Sequence, residues 1–169
     1  MNAHPKTAAL ATQLETADPA ANLQPNFAEQ LVQAAEVLFP CFETGKPIDA
    51  KTLRAAMEGA FGANDTSGAW VWKDAYDAVE IAQVMMITRY GALMRKQAAS
   101  PAQFLSMVER LSALAPSHTR RSEDSIRLQQ FSTPLPLAAI VAEAAGFRPS
   151  DFVLEPSAGT GMLAVFGQI

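Results

Sequence analysis

The stretch DFVLEPSAGTGML, Asp151 to Leu163, decides how this chain is read. An apolar, β-type run from Phe152 to Leu154 leads to an acidic residue, Glu155. A loop containing Gly159 and Gly161 follows, and then the start of a helix. Glycines leave the backbone bare, so a ligand can approach closely, and successive N–H groups at a helix start can face a polar ligand. Glu155 falls at the carboxyl end of the expected strand, where open α/β sheets bind ligands. A carboxylate there can accept hydrogen bonds from an ammonium or hydroxyl group. The spacing of Gly159, Gly161 and Ala164 also fits the loose dinucleotide pattern GxGxxG/A, whose alternative is a purely structural turn. The acidic residue expected about 20 positions later in that pattern lies beyond Ile169.

Immediately upstream, PLPLAAIVAEAAGF reads as a helix with Gly146 near its end. Before it, in LQQFSTPLPLA (Leu128 to Ala138), Thr133 precedes Pro134 and reads as a helix start, an extended capping residue followed by proline in the first turn. Helix, strand, glycine loop and helix in that order announce an α/β domain. Everything earlier reads as helical. Residues 1–24 are expected to be a mobile tail. From Phe27 to Leu38 apolar residues recur at helical spacing, with Asn26 as cap and Pro40 as stop. A second helix is capped by Asp49 and closed by Gly62. A long helix is expected from Trp70 to Ala98, with Trp72, Tyr76, Val79, Met86, Tyr90 and Leu93 on one face and Ala75, Ala78, Ala82 and Met85 widening it. Gly91 is its expected bend. Ser100 caps a further helix that begins at Pro101 and stops at Pro116.

With 49% hydrophobic and 18% charged residues, the chain is globular in composition. A net charge of -4 argues against nucleic-acid binding over the whole surface. The single cysteine, Cys41, permits no internal disulfide and fits a reducing, cytoplasmic setting. Its neighbours suggest a packed thiol. No apolar run approaches the ~20 residues of a membrane span, and no signal peptide is expected. Arg120, Arg121 and Arg127, near His118, form the basic cluster and could touch a nucleic-acid phosphate. Glu123 and Asp124 dilute it, and a solvated connector is the alternative. Trp70 and Trp72 could stack a base, although their place on a periodic helix favours packing. His4 and His118 are too far apart to suggest a metal site. No catalytic or metal-binding residue is assigned.

QQFSTPLPLA followed by VLEPSAGTGML resembles the opening of an amino-group DNA methyltransferase domain of class I, which uses S-adenosylmethionine. More narrowly, FGANDTSGAWVWKDAYDAVEIAQV and PSHTRRSEDSIRLQQFSTPLP resemble the N-terminal region of bacterial strawberry-notch-like proteins, which join a methyltransferase-like domain to a DEAD/DEAH-type helicase domain. The resemblance covers roughly residues 30–169. It implies that Glu155, Pro156, Ser157, Ala158, Gly159, Thr160 and Gly161 line the methionine and ribose end of the cofactor. It implies also that Phe131, Ser132, Thr133 and Pro134 close over it. The family's second acidic residue, its Asn/Asp-Pro-Pro-aromatic motif and the helicase GxxxxGK[ST] loop are absent from this sequence.

The resulting expectation is a mainly α chain, with a helical domain over residues 25–116, a polar and basic connector over 117–127, and over 128–169 the truncated start of an incomplete α/β methyltransferase fold. Its expected role is that of an N-terminal fragment of a DNA methyltransferase-like/helicase protein, inactive alone. S-adenosylmethionine would be bound only by the complete parent. Partners would be DNA through the parent, the remainder of a larger polypeptide, and a second copy through an unpaired C-terminal strand. The helix after the glycine loop is expected to have nothing of its own domain to lie against. The alternatives are a stand-alone helical DNA- or protein-binding module and a fragment of a nicotinamide enzyme.

Overall fold

The computed structural model describes residues 26–116, 132–148 and 150–169. The tail 1–24 and the connector 117–127, with Arg120, Arg121 and Arg127, lie outside the described residues, as does Phe131.

Among the described residues five α-helices form: α1 (Phe27–Thr44), α2 (Ala50–Phe61), α3 (Trp72–Gln97), α4 (Pro101–Ser112) and α5 (Leu135–Ala145). Their ends follow local chemistry. The Asn26 side chain accepts from the Glu29 N–H while the Glu29 carboxylate accepts from the Asn26 N–H, satisfying two donors at the start of α1. The Asp49 carboxylate caps α2 through the Thr52 N–H at 2.7 Å. Ser100 caps α4 through Gln103, with Pro101 at the first helical position. Gly146 ends α5 in the left-handed conformation, φ 60°.

Several boundaries differ from expectation, among them those of α3, which runs from Trp72 to Gln97 rather than from Trp70 to Ala98. Pro40 does not stop α1, which runs on to Thr44. Proline costs the helix one N–H, but Pro40 is exposed while Phe39 and Phe42 beside it are buried, so the packed face carries the helix through. The helix α5 starts one residue later than Thr133 implied: Pro134 holds the flanking position and no side chain caps it. Helix α4 ends at Ser112, ahead of Pro116.

At 26 residues, about 39 Å long, α3 is the hub. It packs against α1, α2, α4 and the C-terminal turn. Ala75, Ala78, Ala82 and Gly91 are buried on it, and their small size lets these neighbours approach closely. Leu93, expected on the packed face, is instead 51% exposed, and Ile87 and Gly91 take the inward positions. At the N-terminal end of α3, buried Trp70 donates Nε1–H to the Ala63 carbonyl at 2.8 Å. Trp72 donates to Asp65 at 3.0 Å, and the Arg54 guanidinium lies 5.3 Å above its ring. Both tryptophans thus pack and pin the α2–α3 connection.

No strand forms among the described residues. The run expected as a strand, Asp151 to Glu155, lacks ladder partners, and its Phe152 and Leu154 side chains are almost fully exposed. A lone strand has no neighbour to satisfy its N–H and C=O groups, so its apolar pattern alone cannot make a sheet.

The segment after the glycine loop does find a surface, contrary to expectation. It forms a 3₁₀ turn, Ala164–Gln168, and buries Met162, Val165 and Phe166 in the same core as α1 to α5. Phe166 meets Phe104 of α4 edge to face, with ring centroids 6.5 Å apart. Ile169 sits over Gly91, where an added Cβ would lie 2.7 Å from its Cδ1 atom. Gly91 therefore marks a seat for the C-terminal residue within an unbroken α3. Phe166→Ala should lower unfolding stability by about 3 kcal/mol, the cost of emptying a buried phenylalanine site. Urea titration checks this, and a loss below about 0.5 kcal/mol, as for a surface change, would mean that the turn is not part of the core.

Candidate cofactor-loop site

Residues 155–161 form a tight turn satisfied mostly from within. The Glu155 carboxylate accepts from the Ser157 N–H at 2.9 Å, and the Gly161 N–H reaches the Ala158 carbonyl at 2.7 Å. Gly159 and Gly161 adopt φ 52° and 87°, a region that side-chain-bearing residues rarely enter. Open space adjoins both: a Cβ on Gly159 would meet nothing nearer than 4.0 Å, and one on Gly161 nothing within 4 Å. Backbone conformation, rather than crowding by the protein, makes these positions glycine.

Thr160 leaves the turn. Its Oγ1 hydroxyl donates to Oε2 of Glu80, on α3, at 3.0 Å. The Ser132 hydroxyl, from the Ser-Thr-Pro segment, lies near enough to the same carboxylate to favour its charged form as a hydrogen-bond donor would. Two segments far apart in sequence thus meet at one glutamate. Glu80 is 5% exposed, and Gln83, one turn along α3, is buried to the same extent. None of the ion pairs among the described residues involves Glu80. Burial pushes its pKa above the ordinary 4.5, against the opposing pull of the Ser132 and Thr160 hydrogen bonds. Asp77 raises it slightly further, and Lys73 lowers it.

The expected site residues therefore divide. Ser132 and Thr160 converge on Glu80. Thr133 and Pro134 lead into α5 beside Ser132. Pro156, Ser157, Ala158 and Gly159 line the exposed outer side of the turn, and Glu155 is turned inward upon it. An open groove of about 550 Å³ runs between the end of α5 and residues 150–154. Among the described residues no cluster of three or more His, Cys, Asp or Glu side chains could hold a metal ion. No helix among them is long and apolar enough to cross a membrane. Cys41 is half-buried, a free thiol packed against the core.

Sequence reasoning missed Glu80 and Gln83. The signal was present: Tyr76, Glu80, Gln83 and Ile87 are spaced by four, three and four residues, so two polar side chains sit within a stripe that should be apolar.

Comparison with known proteins finds no matching family model, no matching curated protein and no matching solved structure.

The raised pKa of Glu80 has a consequence for stability. Its folded form binds a proton more tightly than the unfolded chain, so its contribution favours folding increasingly as pH falls through the folded pKa, and fully below 4.5. Glu80→Gln has no such titration. The stability of the native chain relative to Glu80→Gln should therefore improve as pH is lowered from about 7 towards 4.5. Parallel urea titrations of both proteins check this; a pH-independent difference, or one of opposite sign, would refute it.

Proposed function

We propose that this chain is the N-terminal part of an S-adenosylmethionine-dependent DNA methyltransferase-like protein joined to a helicase, acting in the cytoplasm. The observation that carries the reading is the meeting of the Ser-Thr-Pro segment and the glycine loop at Glu80. The two stretches that carry the resemblance would be neighbours in a cofactor site, and chance packing gives no reason for both to share one partner. The open space beside Gly159 and Gly161 is compatible with close approach of a ligand to the backbone. When bound, S-adenosylmethionine would supply the methyl group. Residues 155–161 would line its methionine and ribose end, and Ser132, Thr133 and Pro134 would close over it, with Phe131 preceding them. Because Glu155 is engaged with the Ser157 N–H, it would have to turn outward to meet a ligand.

Two further features support an α/β continuation. Helix α5 is apolar on both sides: Leu135, Ala138, Ala139 and Ala142 face the core, while Leu137, Ile140 and Val141 are about half exposed. The exposed run Phe152 to Leu154 follows it. A sheet laid on the outer face of α5, taking residues 152–154 as a strand, would cover both. The remainder of a larger polypeptide would supply that sheet, and a second copy pairing through residues 152–154 is the lesser partner. DNA would be met through the parent protein.

Methyl transfer requires an acceptor held against the cofactor as well as the cofactor itself. The Asn/Asp-Pro-Pro-aromatic motif that would grip the acceptor is missing, so the chain by itself is inactive on this reading. Calorimetry with S-adenosylmethionine should detect no binding to this chain. It should detect binding to a version extended through the acceptor motif, abolished there by Gly161→Val. Micromolar binding to this chain that Gly161→Val abolishes would contradict the inactive-alone reading, and an extended chain without affinity would remove the cofactor.

A second reading, a stand-alone helical module that binds DNA or protein, is favoured by the burial of Met162, Val165 and Phe166 in the shared core. Sub-micromolar binding of a DNA duplex by this chain, weakening steeply with salt, would support it.

A further inference from the structure

We propose that Glu80 is the positioning residue of the glycine loop, a shared anchor through which the long helix holds the loop and the Ser-Thr-Pro segment in one arrangement. Its importance for a ligand rests on the reading above; the anchoring itself does not.

Packing holds the two segments only at their flanks. Below the loop, Met162, Val165 and Phe166 are fixed by packing, and beyond Ser132, Leu135 and Ala138 are fixed in the same way. The residues in between are exposed or half-exposed and make few contacts of their own. The loop reaches the helical body through the Thr160 hydroxyl, 3.0 Å from Glu80, and the Ser-Thr-Pro segment approaches the same group through the Ser132 hydroxyl. Both end on one carboxylate. An ionised carboxylate can accept from several donors at once, and its hydrogen bonds are stronger than those of neutral acceptors. A carboxylate buried without a cation needs those donors in turn. Removing the acceptor should therefore free both segments together, although their hydroxyls belong to different parts of the chain.

A structural role and an anchoring role predict different behaviour for Glu80→Met, which keeps the length of the side chain and removes its charge and acceptors. A buried charge replaced by an apolar side chain of similar size is often neutral or stabilising for the fold. Anchoring, in contrast, is lost. Hydrogen exchange of the full chain separates the two. The Val165 and Ala138 side chains are packed, but their amides bond to carbonyls of the unpacked segments, Gly161 and Pro134; with the Gly161 amide, bonded to Ala158, they report the loop and the Ser-Thr-Pro side. In Glu80→Met these three amides should exchange about tenfold faster or more, as expected for loss of a charge-assisted hydrogen bond. Amides of Phe27–Thr44 should be unchanged, and the urea midpoint should not fall.

Should Glu80→Met loosen α1 as well, Thr160→Val and Ser132→Ala decide in its place. Each should speed exchange on its own side most, with α1 unchanged. Native exchange rates at Gly161, Val165 and Ala138 in Glu80→Met, or faster exchange on one side only, would overturn the shared anchor. Unchanged rates in both hydroxyl variants would do the same. None of these measurements involves a cofactor, so failure of the methyltransferase reading would leave the anchor standing, and failure of the anchor would leave that reading to the calorimetry.

Discussion

A carboxylate placed inside a helical core sets terms for everything around it. Glu80 lies in the inward stripe of α3, 5% exposed, with no ion-pair partner among the described residues. Removing such a group from water costs several kcal/mol unless hydrogen bonds replace the lost solvation. The hydroxyls of Thr160 and Ser132 supply part of that replacement.

The rest of the architecture makes this possible through size. Ala75, Ala78 and Ala82 let α3 be approached closely, and Gly91 receives Ile169 directly on the helix backbone. The C-terminal turn is thereby held at its far end by Phe166 and Ile169 and at its near end by Thr160. The Arg95–Glu143 pair, at 2.7 Å and partly exposed, adds a polar link between α3 and α5 that counts for little beside this packing. The apolar run at residues 152–154 sits outside the framework, exposed, because among the described residues nothing offers it a ladder of backbone partners.

Much of the helical framework was legible. Asn26, Asp49 and Ser100 cap where their side chains said they would, and Gly62 and Gly146 end helices where a left-handed residue is needed. These signals are local, and local chemistry suffices to read them. Pro40 misled because its cost is local while the burial of Phe39 and Phe42 that outweighs it is tertiary. The Phe152–Leu154 run misled for the opposite reason: strand formation is never local, and the pattern describes a strand only when a neighbour exists. Leu93 was placed inward by extending an ideal periodicity along a helix whose neighbours do not reach that far on that side.

The candidate site was half legible. The Ser-Thr-Pro and glycine segments were singled out from their residues, and both bring a hydroxyl to Glu80 on α3. The group that gathers them was invisible to a reading that sorted α3 into apolar and polar faces and passed over two polar residues within the apolar one. Burial of Glu80 beside these two hydroxyls can be read at the carboxyl group itself, by a carboxyl-carbon NMR titration. The midpoint for Glu80 should lie above 4.5 in the native chain and rise further in both Thr160→Val and Ser132→Ala, as each removes a donor that favours the charged form. A midpoint at or below 4.5, unchanged by either substitution, would contradict it.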